Sequence, residues 1–228
     1  RSLTPTTQPR HIMTPTFAPR TEPIFHLTRP FAVAGYEWFA GPVGVPSAEE
    51  FFATHAQSDV MDAHLLARCH TDTEELRQGG FVTVNVEPRS LQSDAFWATA
   101  LAHADGMVLE ISERGPLPYT EALEYRLAEW RERGGMVAFD DYGVGSSRVI
   151  ELGWVVPEMV KLDRDFTRLI IERPNRLLCS VVGLLVAESR YVVAEGVETP
   201  EEAETLEALG ITLGQGRHFE VNVAELAS

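Results

Sequence analysis

The chain has 228 residues, 44% of them hydrophobic, and a formal net charge of −15 at pH 7. That length and apolar content can bury a sizeable core in one large domain or two small ones. The negative charge argues against a binder of nucleic-acid polymers or membrane surfaces, since either polyanion would be repelled, but it leaves room for a small anionic ligand held through metal ions. No apolar run is long enough to span a bilayer and the N-terminus lacks a signal-peptide pattern, which points to the cytoplasm. Two cysteines, Cys69 and Cys179, lack metal-ligand spacing and read as buried free thiols.

Residues 1–21 are rich in Thr and Pro without hydrophobic period and read as a linker or an expression remnant, with residues 22–228 as the folded domain. The segments 22–27 (EPIFHL) and 31–39 (FAVAGYEWF) predict two strands joined by a tight turn, hence an antiparallel pair. From Ser47 to about Cys69 the apolar positions Phe51, Phe52, Val60, Met61, Leu65 and Leu66 predict a helix. Strand 81–86 (FVTVNV), a short helix over 91–104 and strand 107–111 (MVLEI) follow. Ala122, Leu123, Leu127 and Trp130 predict one buried face of a helix over 119–133.

Residues 134–147, GGMVAFDDYGVGSS, carry the most informative pattern. An apolar run, buried on both faces if it is a strand, ends in Asp140 and Asp141 and then a glycine-rich turn. Adjacent carboxylates repel, so they belong either to a solvated turn or helix cap, or to a site where a divalent cation removes the repulsion. A helix over 146–152, strand 159–162 (MVKL), helical sequence over 163–189 broken at Pro174, strand 191–195 (YVVAE), helix 200–209 and strand 211–215 complete the chain. Pro200 suits a first helical turn and Gly210 a helix stop.

Eight strands, six of them reached through crossovers, predict an α/β fold of the β/α-barrel type. An open doubly wound sheet is the alternative, but a glycine-rich phosphate loop after the first strand is missing. In a barrel, Glu37, Asn85, Glu110, Asp140, Asp141, Lys161, Glu195 and Gln215 fall at strand ends that converge on one face. Carboxylates and an Asn supply hard oxygen ligands suited to Mg²⁺, Mn²⁺ or Ca²⁺. A lysine among them suits a phosphate oxygen or an activated water.

These segments resemble the EAL family of cyclic di-GMP phosphodiesterases over residues 22–220. GYE at 35–37 looks like its namesake strand and VTVNVEP at 82–88 like its Asn-bearing strand. LEISE at 109–113, FDDYGVGSS at 139–147, VKLD at 160–163, AEGVET at 194–199 and LGITLGQG at 209–216 follow in the family's order. The resemblance implies a (β/α)8 TIM-like barrel whose first strand is antiparallel. It implies hydrolysis of cyclic di-GMP to linear pGpG with two divalent ions, Mg²⁺ or Mn²⁺, held by Glu37, Asn85, Glu110, Asp140, Asp141 and Glu195. Lys161 would position or activate the attacking water, with Glu195 supporting its deprotonation. Glu113 would anchor a mobile acidic loop, hinged at Gly143 and Gly145, while Glu198 and Gln215 would support the ligand. A homodimer and an N-terminal sensory or regulatory domain are further expectations of the resemblance.

The sequence departs from the family's pattern at several places. Trp38 and Phe39 follow Glu37 where smaller residues are usual, Gly41 stands where an Arg usually meets a ligand phosphate, Glu22 replaces a Gln, and Arg217 stands where an aromatic is frequent. These changes leave the predicted hydrolytic residues in place and alter the substrate contacts. The competing readings are a cyclic di-GMP receptor with weak or no turnover, favoured by Gly41 and Glu22, and a ligand-free interaction module, disfavoured by the retained ligand set.

Overall fold

The computed structural model describes residues 16–44, 51, 59–113, 115–143 and 149–219. Eight strands close into a barrel in sequence order: β1 (Arg20–His26), β2 (Val33–Phe39), β3 (Phe81–Val86), β4 (Met107–Ile111), β5 (Met136–Tyr142), β6 (Met159–Leu162), β7 (Tyr191–Ala194) and β8 (Leu213–Gly214). β1 is antiparallel to both its neighbours, β2 and β8, and every other pairing is parallel. This follows from connection length. Parallel strands need a crossover of a dozen residues or more, and the short 27–32 connection returns the chain beside itself, with the His26 N–H donating to Ala32 O at 2.8 Å.

The pleat then separates two layers inside the barrel. Ile24, Phe81, Val108, Ala138, Met159, Val193 and Leu213, one from each of seven strands, form an apolar plug. β2 contributes Gly35 beside this plug, and a Cβ there would meet the Phe81 ring at 2.5 Å. Side chains repeat on one face every second residue. Two residues beyond the plug stand Glu37, Thr83, Glu110, Asp140, Lys161, Glu195 and Gln215. The alternate residues, such as Val84, Leu109, Phe139, Val160 and Val192, face outward into the two clusters that join the strands to the helices.

The helices are α1 (Asp59–Asp72), α2 (Glu74–Arg77), α3 (Asp94–Ala100), α4 (Glu121–Glu132), α5 (Val149–Val155), α6 (Arg164–Glu172), α7 (Arg176–Glu188) and α8 (Pro200–Ala208). Local chemistry starts five of them: Ser93, Thr120, Asp163, Asn175 and Thr199 accept backbone N–H bonds from the first turns of α3, α4, α6, α7 and α8. At α8, Glu202 Oε2 also accepts from the Glu198 N–H at 2.7 Å, so cap and carboxylate satisfy donors reciprocally.

Several expectations need correction. Val60 and Ala122 are exposed, so neither belongs to its helix's buried face. The single helix expected over 91–104 is interrupted, because Ser93 turns extended to cap α3 and leaves 3₁₀ turns on either side. β1 begins at Arg20, two residues ahead of the start expected at 22, and the chain before it pairs with residues beyond β2 through Phe17 and Pro42. Cys69 is buried and Cys179 only half-buried, and both are free thiols. Of the helix expected from Ser47, residues 47–50 and 52–58 lie outside the described residues, as do 144–147 of the acidic loop. Among the described residues no helix is long and apolar enough to cross a membrane.

Candidate active site

The polar layer above the plug is organised by Lys161. β6 places its side chain on the barrel axis, 1% exposed. Its ammonium donates to Glu110 Oε1 at 2.7 Å, Glu37 Oε2 at 3.0 Å and Asp140 Oδ1 at 3.2 Å, and pairs with Glu195 Oε1 at 2.8 Å. Gln215 Nε2 donates to the same Glu37 oxygen at 3.1 Å. One buried cation thus faces four carboxylates, three from β2, β4 and β5 and one just beyond β7, in surroundings where like charges are costly.

The ionisation pattern follows. Burial raises the Glu110 carboxyl well above the usual range, Glu37 and Asp140 add to the rise, and Lys161 only partly offsets it. Burial likewise raises Glu195, against the opposing pull of Lys161. Burial by itself lowers the Lys161 ammonium, but the four surrounding carboxylates outweigh it and hold the group well above its ordinary value. With the carboxylates closed on it, Lys161 is held as an ammonium that donates to them.

Asp140 and Asp141 reach the site through a break in the β5–β6 ladder. The register shifts between Phe139 and Tyr142, and Asp141 takes φ +51°. Bulges re-aim side chains at strand ends, and Asp tolerates this left-handed backbone better than most residues. Asp141 is pushed up to about 7, first by burial and then by Asp140, Glu195 and a hydrogen bond to Glu113. Gly143, at φ +110°, lies where a Cβ would meet the Phe166 ring at 2.5 Å. Gly145 lies outside the described residues.

Neither Asn85 nor Glu198 is among the partners of Lys161 in the described residues. Asn85 pairs in register with Glu110 but is two residues further along β3 and exposed. Thr83 is the β3 member of the buried layer, with an Oγ that has no partner among the described residues. Its hydroxyl inside FVTVNV does not interrupt a strand pattern, and only the register marks it. Glu198 pairs with Arg217 at 2.7 Å outside the layer, and this contact lowers its pKa. Arg164, which no sequence signal marks, reaches the same region from the start of α6. Gly41 takes φ +58° and a Cβ there would meet Ala18 O at 2.1 Å, so this backbone admits no side chain at that position.

As the side chains stand, no group of three or more His, Cys, Asp or Glu among the described residues is arranged around a shared metal position, since the carboxylates close on Lys161. The donor set nevertheless fits hard divalent cations: all oxygen, rich in carboxylates, and with Glu110 Oε2 buried and without a hydrogen-bond partner among the described residues.

Comparison with known proteins places this geometry. The EAL domain model matches residues 12–221. The probable cyclic di-GMP phosphodiesterase PdeN of Escherichia coli K12 is 34% identical over 195 residues, 77% of this chain and 37% of PdeN. An EAL domain protein of Listeria monocytogenes EGD-e superposes with TM-score 0.72 at 18% identity, covering 89% of this chain and 87% of that one, a likeness of fold. Klebsiella pneumoniae BlrP1, in a complex with manganese and cyclic di-GMP, gives TM-score 0.64 at 26% identity over 89% of this chain and 57% of that one. The chain spans about a third of the length of the curated relatives it matches. With the family model matched along most of its length, the chain belongs to the EAL domain family.

Proposed function

We propose that this domain hydrolyses cyclic di-GMP to linear pGpG with Mg²⁺ or Mn²⁺. The observation that carries the reading is the buried layer in which Glu37, Glu110, Asp140 and Glu195 surround Lys161, in a family whose relatives bear the names of cyclic di-GMP phosphodiesterases. Glu37, Asn85, Glu110, Asp140, Asp141 and Glu195 would hold the cations. Bound divalent ions lower the pKa of a coordinated water and stabilise charge on the attacking and leaving oxygens of an in-line displacement.

The chain's own side chains do the rest. Lys161, held among the carboxylates, positions or activates the attacking oxygen. Glu195, 2.8 Å from Lys161 Nζ, accepts a proton from that oxygen as the oxygen bonds to phosphorus and the opposite ester P–O bond breaks. The departing ribose oxygen takes up a proton, which gives a free hydroxyl. Gln215 holds Glu37 in place, and Glu113 holds Asp141.

A second reading, a receptor with weak turnover, draws support from position 41, where no phosphate-binding side chain fits. Chromatography of purified protein incubated with cyclic di-GMP and Mn²⁺ separates the two. The hydrolase gives pGpG, and both a chelator and Glu195→Gln abolish it. Saturable ligand binding without product marks the receptor.

A further inference from the structure

A cavity of about 380 Å³ opens beside the polar layer, with Glu22, Arg164, Gly196, Glu198, Gln215 and Arg217 in its wall. It adjoins the hydrolytic residues directly: Gln215 is hydrogen-bonded to Glu37 and Gly196 follows Glu195 in the chain. Its volume lies within the range of small-molecule sites.

The charges in the wall are unequally committed. Glu22 is paired with Arg20 at 3.0 Å, both side chains more than half exposed, so this pair too is weak. Arg217 is held by Glu198 at 2.7 Å, but its side chain is 73% exposed and the carboxylate 35%. Such a pair is screened by water and holds its partners weakly. Arg164 lies across the backbone of Gly196, where φ is +73° and a Cβ would meet Arg164 Cγ at 2.6 Å and Nε at 2.9 Å. The glycine thus leaves room for this guanidinium against the strand end that carries Glu195. Lys161 is occupied by four carboxylates, so it offers little to a second anionic group. Gln215, 8% exposed, keeps a buried Oε1 with no hydrogen-bond partner among the described residues. The wall therefore offers two guanidinium forks, balanced by the carboxylates of Glu22 and Glu198, and one free acceptor; once Arg217 turns from Glu198, the forks complement a phosphate attached to a nucleoside with N–H or O–H donors.

We propose that Arg217 and Arg164 form the subsite for the non-reacting phosphate of the cyclic dinucleotide, with Arg217 passing from Glu198 to that phosphate as the ligand enters. This deepens the phosphodiesterase reading and rests on it. The exposed pair is released at small cost, and the planar fork then binds phosphate oxygens in pairs. In a chain of net charge −15, these arginines are also what draws a dianion to an acidic barrel mouth.

Initial rates with cyclic di-GMP and Mn²⁺ test the subsite on the full chain. Arg217→Gln is expected to raise KM about tenfold with kcat within about threefold, the size of one charged hydrogen bond lost. Arg217→Lys is expected to recover part of that loss, and Arg164→Gln together with Arg217→Gln to exceed either alone. The KM of the unsubstituted protein rises with salt, and that of the double variant rises less. Unchanged KM in the double variant of an otherwise active protein overturns the subsite and leaves the hydrolase reading intact. A fall in kcat at constant KM also overturns it. If the unsubstituted protein binds without turnover, calorimetric Kd values carry the same expectation in place of KM. If it neither binds nor hydrolyses the dinucleotide, the functional reading fails and the subsite fails with it.

Discussion

Asp141 shows how much one side chain contributes to the tension of the site. It occupies a left-handed backbone position, is half-buried, and has its carboxyl pushed up to about 7 by burial and by neighbouring acids. Its unfolded value is near 3.8, so between those two values the folded chain holds the proton more tightly than the unfolded chain does. Stability contributed at this position therefore falls as pH rises from about 4 to about 7. Asp141→Asn keeps the backbone preference and removes the ionisation. Urea unfolding in the presence of a chelator should show the unsubstituted protein losing stability relative to the variant across that window, with Mn²⁺ restoring it at pH 8. Parallel pH curves for the two proteins would contradict the assignment. The acidic pair was legible in the sequence because two carboxylates ended an apolar run. Thr83 was not, because a hydroxyl in a strand is chemically unremarked until register places it in the buried layer.

Among the elements, the strands were easier to read than the helices, and the reason is geometric. Strands such as β4 and β6 are buried along their whole length, so short apolar runs mark them irrespective of the face they present. A helix exposes part of its circumference, and its sequence does not say where the buried stripe ends. Val60 and Ala122 are apolar, lie on helices with a buried face and themselves face solvent. The plug below the site depends on a small residue of the opposite kind. A Cβ at Gly35 would meet the Phe81 ring at 2.5 Å and Phe81 O at 2.6 Å, so rotating the ring does not relieve both contacts. Gly35→Ala should cost about 1–3 kcal/mol by overpacking, seen as a lower urea midpoint at unchanged m-value. A change within about 0.5 kcal/mol, the usual range for a surface substitution, would show that the plug adjusts and is not close-packed there.

At the scale of the whole molecule, closure of the barrel decides which groups are reachable. The antiparallel β1 pairs with β2 and β8 and seals the sheet, a topology already implied by two strands joined over too few residues for a crossover. Cys69 lies inside the resulting helix–sheet layer with its thiol raised to about 12, chiefly by burial, whereas Cys179 is half-buried on α7. One thiol should therefore react with Ellman's reagent in the folded protein, and the second only in denaturant. Two thiols of equal, fast reactivity would mean that the layer opens locally. Barrel order and the strand-end residues could be read from the sequence. The gathering of the carboxylates on Lys161 could not, nor could the Arg164–Arg217 cavity, because both arise from closure.

In the proposed reaction this buried layer directs water onto a phosphodiester. That step is tested most directly by a single-turnover reaction of cyclic di-GMP with excess protein and Mn²⁺ in ¹⁸O-labelled water, read by mass spectrometry. The account predicts pGpG carrying one ¹⁸O on its new terminal phosphate. Bound dinucleotide recovered intact, or pGpG without the label, would contradict it.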